Sequence, residues 1–359
     1  MRALVYHGPG RRAWEQVPDP GLVEDTDVIV GIDAVSICGT DLHILRGDVP
    51  EVAPGRVLGH EAVGTVEEVG RAVRNVRSGD RVLVSCIAGC GTCRYCRTGG
   101  YGQCLHGGGW ALGHTVDGVQ AEYARVPFGD LSTHRLPLGV NRDAAVLLAD
   151  ILPTSYEVGV LAGRVRPGDT VVIVGAGPIG LAAVLMARLV SPSRVVVVEP
   201  AASRRALATQ IGADVTLGSE DPDAVEEVVL SLTAGLGADV VIEAVGLPEA
   251  FELCTRLVRP GGHVANVGVH GRPVTLHLET LWIKDVTITT GLVDTRTTPT
   301  LLRLLADQQI DPTPLVTHRF ALDDMPTAYD VFSRPAETGA VKVVLDRERL
   351  PTAPLVGPV

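Results

Sequence analysis

The chain has 359 residues, more than one ordinary hydrophobic core requires, so we expect about two domains. Its 42 acidic residues against 31 Lys and Arg give a formal charge of -11, which argues against nucleic acid as the main partner, because a phosphate backbone requires a concentrated positive surface. No apolar run reaches the ~20 residues that span a bilayer and no secretory signal is visible, so we expect a cytoplasmic protein without a membrane partner.

Short strands and turns are predicted for the first 150 residues, where Gly or Pro recurs every few positions. Residues 27–35 mix alternating and continuous apolar positions and predict a strand. Aromatic residues make up 4% of the sequence, so small aliphatic side chains must fill this core. The sequence therefore predicts a β-rich first domain.

Three positions in this first part of the chain offer the ligands of one metal site: Cys38, His60 and Asp150. One thiolate, one imidazole and one carboxylate leave the fourth position of a tetrahedral zinc ion open, which is the arrangement of a catalytic site. The two negative charges would balance the ion, which could then stabilise an alkoxide near neutral pH.

Cysteine spacing predicts a second metal site. Four of the seven cysteines crowd into fifteen positions: Cys90, Cys93, Cys96 and Cys104. Thiolates separated by two residues in a turn can converge on one tetrahedral ion, and four protein ligands leave no open position, so this zinc would be structural. Cys86 and Cys254 lack such spacing and are expected to be small buried residues.

A repeating strand–helix pattern begins near residue 150 and predicts a parallel, doubly wound α/β sheet with helices on both faces. Its predicted strands and helices are, in chain order, 170–174, 179–190, 194–198, 203–211, 238–242 and 263–267. A helix near 299–309 and a strand at 342–345 follow, and residues 351–358 are predicted to form a surface tail.

A glycine-rich turn after the first strand of this pattern is typical of dinucleotide binding. Gly175 allows the tight turn, Gly177 lets a pyrophosphate approach the backbone, and Gly180 lets the helix pack on the sheet. Pro178 and Ile179 open the helix, whose free N–H groups and positive dipole end would face the phosphates.

Glu199 ends the next strand and predicts which cofactor binds. A carboxylate here accepts hydrogen bonds from both hydroxyls of the adenosine ribose and repels a 2′-phosphate, so it favours NAD over NADP. Arg204, five residues further on, either contacts the same ribose or is a solvated helix residue.

At these residues the chain resembles the zinc-containing medium-chain dehydrogenases. The stretch Gly-His-Glu-Ala-Val-Gly at 59–64, followed by Gly70 and Val73, matches the zinc signature of that family, and the four-cysteine lobe and the glycine-rich turn follow in the family's order and spacing. Asp150 and Trp110 resemble the bacterial secondary-alcohol dehydrogenases in particular. The sequence departs from that subgroup in two ways, because its members often lack the lobe and several prefer NADP.

The resemblance implies a zinc-dependent oxidoreductase that interconverts an alcohol with a ketone or aldehyde, using NAD and two zinc ions per subunit, and a secondary alcohol is the expected substrate. It also implies a GroES-like catalytic domain at 1–153 and 293–359, a Rossmann domain at 154–292, and an active site in the cleft between them. Bacterial relatives are usually tetramers, so a homotetramer is expected.

Individual side chains take roles by the same resemblance. Thr40 would hydrogen-bond the substrate hydroxyl, and His43 would pass its proton to solvent through the cofactor ribose. Asp41 would orient His60, and Glu61 would lie beside the zinc as a transient ligand or as a nearby carboxylate. Further contacts are implied for the nicotinamide, by Leu292, and for the substrate pocket, by Ile87 and Trp110.

Two other functions stay open. A polyol or amino-alcohol dehydrogenase of the same family, of the sorbitol or threonine type, shares the motifs but typically carries Glu near position 150. A zinc-stabilised nucleotide-binding protein without catalytic activity would have a broken catalytic set. Here all members of that set are present: Cys38, Thr40, His43, His60 and Asp150.

Overall fold

The computed structural model describes residues 1–218 and 220–347, so the tail predicted at 351–358 lies outside the described residues. The described strands are β1 (Arg2–Tyr6), β2 (Arg12–Gln16), β3 (Val28–Ser36), β4 (Ala62–Val69), β5 (Arg81–Val84), β6 (Tyr123–Val126), β7 (Thr133–Arg135), β8 (Thr170–Val174), β9 (Arg194–Val198), β10 (Val215–Leu217), β11 (Ala238–Glu243), β12 (Val258–Asn266), β13 (Thr287–Thr290), β14 (Val316–Ala321) and β15 (Lys342–Asp346).

The described α-helices are α1 (Gly39–Arg46), α2 (Gly129–Ser132), α3 (Arg142–Val146), α4 (Ile151–Thr154), α5 (Pro178–Arg188), α6 (Ala202–Gln210), α7 (Pro222–Leu232), α8 (Pro248–Leu257), α9 (Leu278–Leu281), α10 (Thr298–Ala306), α11 (Met325–Phe332) and α12 (Pro335–Thr338). A π-helix at Ser155–Leu161 continues α4. Short 3₁₀ turns lie at Cys96–Thr98, Tyr101–Gln103, Leu147–Ala149, Thr313–Leu315 and Leu322–Asp324.

Six parallel strands form one sheet in the order β10–β9–β8–β11–β12–β13. Alternate side chains of β8 enter two different hydrophobic cores, one on each face of the sheet, so the strand is buried throughout. This explains its continuous valine and isoleucine sequence. The strand order reverses between β8 and β11, where open α/β sheets bind ligands. The predicted doubly wound sheet is confirmed.

A second sheet has the order β14–β15–β3–β4–β5–β7, and β6 pairs with the first half of β3. β15 is antiparallel to β3 and parallel to β14. β14 and β15 follow the six-stranded parallel sheet in the sequence, but they belong to the sheet that contains β3. The core beneath it consists mostly of valine, leucine and isoleucine, as the shortage of aromatic residues predicts. The predicted GroES-like, β-rich region is confirmed.

Predicted and observed element boundaries differ by no more than one residue in most cases. The strand predicted at 194–198 occupies those residues as β9, whereas β12 begins at Val258, five residues before the predicted 263. The helix predicted at 179–190 spans Pro178–Arg188, because a proline has the φ that a first helical position requires.

No single helix of the described residues is long and apolar enough to cross a bilayer. The pair at 142–149 and 151–161 meets the length and composition of a span only when both halves are counted across a bend of 50°.

Candidate metal and cofactor sites

Three potential metal ligands converge in the interior, near the end of β3 and the start of β4. The Sγ atom of Cys38 lies 3.5 Å from Oδ2 of Asp150, and Nε2 of His60 lies 3.6 Å from the same oxygen. One ligand atom from each of these residues, together with one from Glu61, lies within 4.8 Å of all the others. The structure thus brings together the ligands predicted from positions 38, 60 and 150.

Local structure fixes two of these side chains. Cys38 is the N-cap of α1, and its N–H donates to Oδ2 of Asp41 at 3.0 Å in a reciprocal cap. Asp150 precedes α4, and its Oδ1 accepts a hydrogen bond from the Thr154 hydroxyl at 2.6 Å. The Sγ atom of Cys86 lies 3.7 Å from that same oxygen, so this residue is buried as predicted but also borders the site.

Glu61 is ion-paired with Lys342 behind this cluster, and the Ser36 hydroxyl donates to the same carboxylate oxygen. The Lys342 ammonium also donates to the Ile37 carbonyl at 3.0 Å. Sequence reasoning placed residue 342 in a strand and assigned it no role. The lysine at the start of the otherwise apolar run of β15 could have indicated a buried ion pair, because a buried charge requires a partner.

The electrostatics of this cluster suit a divalent cation. Burial raises the pKa of the Cys38 thiol, and the neighbouring Asp150 and Glu61 carboxylates raise it further. Three groups that can carry negative charge therefore share a buried site with one lysine. Ligands on a tetrahedral zinc ion stand about 3.3 to 3.8 Å apart, given bonds of about 2.0 to 2.3 Å. The separations around Asp150 agree with that geometry, so this set of ligands fits zinc.

Thr40 and His43 lie three positions apart on α1 and so share one face of the helix. The Thr40 hydroxyl is 3.5 Å from Sγ of Cys38, at the inner end of that face. Nδ1 of His43 is 2.8 Å from Oδ2 of the exposed Asp48 at its outer end. A hydrogen bond from His43 lowers the pKa of the Asp48 carboxyl. Thr40 therefore lies beside the metal cluster, and His43 lies beside the exposed Asp48.

The four-cysteine lobe contains a second set of ligands. One Sγ atom from each of its four cysteines lies within 4.8 Å of the others. The Cys90 and Cys96 sulfurs are 3.8 Å apart, as two thiolates on one zinc ion would be with bonds of about 2.3 Å. Although burial opposes its ionisation, hydrogen bonds from Thr92 and from the Cys93 N–H lower the pKa of Cys90 to about 5. This lobe also fits zinc.

Ile87 and Trp110 belong to an apolar cluster with Cys86, Val158 and Val293. The Trp110 ring meets the edge of the His60 ring at 6.2 Å between centroids and stacks on His114 at 4.4 Å. The two predicted pocket residues therefore lie beside the metal ligands, in apolar surroundings.

The glycine-rich turn at the end of β8 has the geometry its sequence predicts. Gly175 has a φ of 96°, in the left-handed region that favours glycine. A Cβ on Gly180 would overlap the Gly175 carbonyl oxygen, so the helix approaches the turn as closely as glycine permits. A Cβ on Gly177 would meet nothing within 4 Å, and α5 begins at the next residue, Pro178, followed by Ile179. The turn therefore leaves an open face at a helix N-terminus, which fits a pyrophosphate.

The Glu199 carboxylate follows β9 and lies against this turn. Its Oε2 accepts a hydrogen bond from the Ala176 N–H at 2.8 Å, and its Oε1 accepts one from the Ala201 N–H at 3.0 Å. Arg205 donates to the Glu199 carbonyl at 2.7 Å, whereas the half-buried Arg204 makes no hydrogen bond with a described residue. The predicted ribose carboxylate is thus positioned by one backbone N–H group of the turn and by another, two residues after Glu199 itself.

The segment after β13 is hydrogen-bonded to a buried carboxylate whose role the sequence did not predict. Glu157, on the π-helix, accepts hydrogen bonds from the N–H groups of Asp294 and Thr297 at 3.0 and 2.7 Å. Asp294 in turn accepts one from the Gly102 N–H of the four-cysteine lobe at 2.9 Å. Leu292, the predicted nicotinamide contact, precedes these anchors and is 46% exposed.

Two protein families match the chain. Residues 24–137 match the alcohol dehydrogenase GroES-like domain, and residues 178–307 match the zinc-binding dehydrogenase family. An alcohol dehydrogenase of Cupriavidus necator is 35% identical over 96% of this chain and 98% of its own length.

Solved structures agree with these matches. The apo form of zinc-dependent alcohol dehydrogenase 2 from Streptococcus pneumonia is 44% identical, covers 98% of this chain and all of its own, and superposes with a TM-score of 0.93. An alcohol dehydrogenase from E. coli CFT073 in complex with NADH is 26% identical, covers 96% of this chain and 99% of its own, and has a TM-score of 0.85.

The fold, the two sets of ligands and these similarities define the class of protein. The chain belongs to the zinc-containing medium-chain alcohol dehydrogenase family. It is an alcohol oxidoreductase whose cofactors are zinc and a nicotinamide dinucleotide.

Proposed function

We propose that this protein oxidises secondary alcohols with NAD, and reduces the corresponding ketones with NADH, at a zinc ion bound by Cys38, His60 and Asp150. The observation that carries the proposal is the buried convergence of these three side chains beside an apolar cluster. Glu61, the fourth group within reach, is ion-paired with Lys342, so the three protein ligands leave one position for the substrate oxygen.

The chain's own groups bind and orient the reactants. Zinc, when bound, supplies a Lewis acid that lowers the pKa of an alcohol hydroxyl. The Thr40 hydroxyl accepts the hydrogen bond of that hydroxyl, and His43, with Asp48 beside it, passes the proton to solvent through the cofactor ribose. Ile87 and Trp110 keep water from the reacting carbon and favour substrates with apolar substituents.

The cofactor proposal rests on the turn after β8 and on Glu199. Gly177 would hold the pyrophosphate of NAD and Glu199 its adenosine ribose, and the negative charge of Glu199 would disfavour a 2′-phosphate. Leu292 contacts the nicotinamide ring, and Arg204 lies at the edge of the ribose site. The second zinc binds in the four-cysteine lobe and has a structural role.

We also propose the domain boundaries and the assembly. A catalytic domain at 1–153 and 293–359 and a NAD-binding domain at 154–292 are consistent with the C-terminal strands in the β3 sheet. A homotetramer is supported by the edge strand β13 and by the exposed side chains of Trp282 and Ile283 near it. A cytoplasmic location suits the seven thiols, all of them free.

A substrate panel tests this function. We expect the zinc-loaded enzyme to oxidise 2-butanol with NAD at a higher kcat/KM than sorbitol or threonine. Cys38→Ala should abolish turnover but keep NAD binding, because zinc and dinucleotide contact different parts of the chain. Cys254→Ala, which removes a buried thiol far from the site, is the matched control and should keep most activity. Preference for threonine or a polyol would favour the other open dehydrogenase function, and no turnover of any substrate would favour a non-catalytic protein.

A further inference from the structure

A buried hydrogen-bonded chain runs from helix α11 to the candidate metal site. The Tyr329 hydroxyl donates to Oε1 of Gln120 at 2.8 Å, and Nε2 of Gln120 donates to Oδ2 of Asp41 at 3.0 Å. All three side chains are completely buried. They come from α11, from the segment before β6, and from α1, so the chain joins three separate parts of the sequence.

Asp41 connects this chain to His60. Its Oδ2 atom accepts two hydrogen bonds, from Gln120 and from the Cys38 N–H. Its Oδ1 atom lies 3.8 Å from Nδ1 of His60, and both atoms are buried without any hydrogen bond in the described part of the chain. With Oδ2 held by two donors, Oδ1 is turned toward the imidazole whose other nitrogen, Nε2, faces Asp150.

We propose that Gln120 and Tyr329 are positioning residues for the catalytic zinc, acting through Asp41 on His60. They hold the carboxylate so that Oδ1 faces Nδ1 of His60, and this negative charge favours a proton on Nδ1, which leaves Nε2 free as the metal ligand. Partners of this kind fix the tautomer and the ring orientation of a ligating histidine. The inference rests on the proposed function, because it takes His60 as a zinc ligand.

The chemistry of the amide explains why both residues are needed. A glutamine side chain has a donor end and an acceptor end, and a carboxylate can only accept. The Tyr329 hydroxyl donates to the oxygen of Gln120, which leaves the NH₂ group directed at Asp41. The reversed amide would set its oxygen against the Asp41 carboxylate. The hydroxyl and the carboxylate therefore select the same orientation of Gln120.

Zinc release tests the proposal without measuring turnover. Zinc-loaded wild type is mixed with an excess of a chromophoric chelator, and Cys38→Ser identifies the phase of zinc release that belongs to the catalytic site. Gln120→Glu keeps the shape but replaces the donor by an oxygen, so that phase should be about 10- to 100-fold faster. Tyr329→Phe should accelerate it about 3- to 10-fold, since only the orientation of the amide is weakened.

Tyr6→Phe is the matched control. Tyr6 is buried in the same hydrophobic core as Tyr329, but its hydroxyl makes no hydrogen bond with a described residue. This variant should release zinc at the wild-type rate. The phase from the four-cysteine lobe should be unchanged in all of these variants. Cobalt in place of zinc should show a shifted visible band in Gln120→Glu, because its ligand field reports the orientation of His60.

Three results would contradict the inference or its basis. Zinc release from the catalytic site at the wild-type rate in both Gln120→Glu and Tyr329→Phe would overturn it. Should Gln120→Glu fail to fold, the rate in Tyr329→Phe is sufficient to test the inference. Equal acceleration of both zinc phases would also overturn it, since that indicates a general loss of stability. If Cys38→Ser removed no phase, the ligand set itself, and with it the proposed function, would be wrong.

Discussion

The ammonium group of Lys342 is ion-paired with the Glu61 carboxylate, and each side chain is only 1% exposed. Lys342→Met should leave that carboxylate buried with only a hydroxyl partner, because the Ser36 hydroxyl would remain. Breaking a buried pair on one side costs about 3 to 5 kcal/mol, so we expect a loss of this size in the free energy of unfolding. Guanidinium denaturation of the zinc-loaded protein measures it.

A double variant provides the control for this pair. Lys342→Met combined with Glu61→Gln removes both charges, so its loss of stability should be smaller than the sum of the two single losses. Strict additivity would mean that the two side chains do not stabilise each other.

Replacement of Glu199 should change the cofactor preference. The wild type should prefer NAD, because a 2′-phosphate would face the carboxylate at a penalty of roughly 2 to 4 kcal/mol, or about 30- to 1000-fold. Glu199→Gly should weaken NAD use and improve NADP use while zinc content stays unchanged. Arg204→Ala should change the ratio less, because this side chain makes no hydrogen bond near the turn. The measurement is kcat/KM for both cofactors, and a wild-type preference for NADP would show that Glu199 does not face the ribose.

Loss of the four-cysteine site should reduce stability and zinc content together. Metal analysis of the wild type should find about two zinc ions per chain. Cys93→Ser with Cys96→Ser should bind about one, and its thermal midpoint should fall, because four thiols without an ion no longer cross-link the lobe. A fully active wild type with a single zinc ion would contradict the structural site.

His43→Ala should slow the reaction without preventing it. Removal of the imidazole takes away the proposed proton acceptor beside Asp48, so kcat should fall about 10²-fold while KM changes little. Increasing concentrations of a small acid–base buffer should restore part of the rate. Asp48→Asn, which keeps the imidazole, should cost less. An unchanged kcat in His43→Ala would mean that the proton leaves by another route.

His134 should make the free energy of unfolding decrease as the pH is lowered through a defined window. It lies on β7, and burial lowers its pKa from 6.5 to about 4. The unfolded chain therefore binds a proton between pH 6.5 and 4 that the folded chain does not. Stability is fully present above 6.5 and declines as the pH falls toward 4, by at most about 3 kcal/mol. His134→Gln should decline less across this window in urea denaturation. If the free energy of unfolding depended on pH in the same way in both proteins, His134 would not be the group responsible.

Local sequence signals predicted the elements and ligands that local physics determines. The strands around Gly175 are buried on both faces, so they read as unbroken valine and isoleucine runs. The cysteines of the lobe lie close together in sequence, and their spacing alone predicted that their sulfur atoms converge. Cys38 and His60 were found through short motifs with known metal chemistry.

Pairs of polar side chains that are distant in the sequence were not predicted by the same reasoning. Lys342 is 281 residues from Glu61, Tyr329 is 209 residues from Gln120, and Glu157 is 140 residues from Thr297. Periodicity and spacing contain no information on which distant polar groups meet. A buried-charge argument could have flagged Lys342, because it interrupts an apolar strand, but it could not have supplied the partner.

The position of β15 has a consequence for synthesis on the ribosome. This strand, Lys342–Asp346, lies between β14 and β3, although more than three hundred residues separate it from β3 in the sequence. While the chain is being made, the second half of one edge of β3, at Ala34–Ser36, stays unpaired and Glu61 lacks its counter-ion until Lys342 emerges. A nascent chain ending before Lys342 should therefore be open to proteases and to strand pairing with its neighbours, and it should become protected only as β15 adds to the sheet.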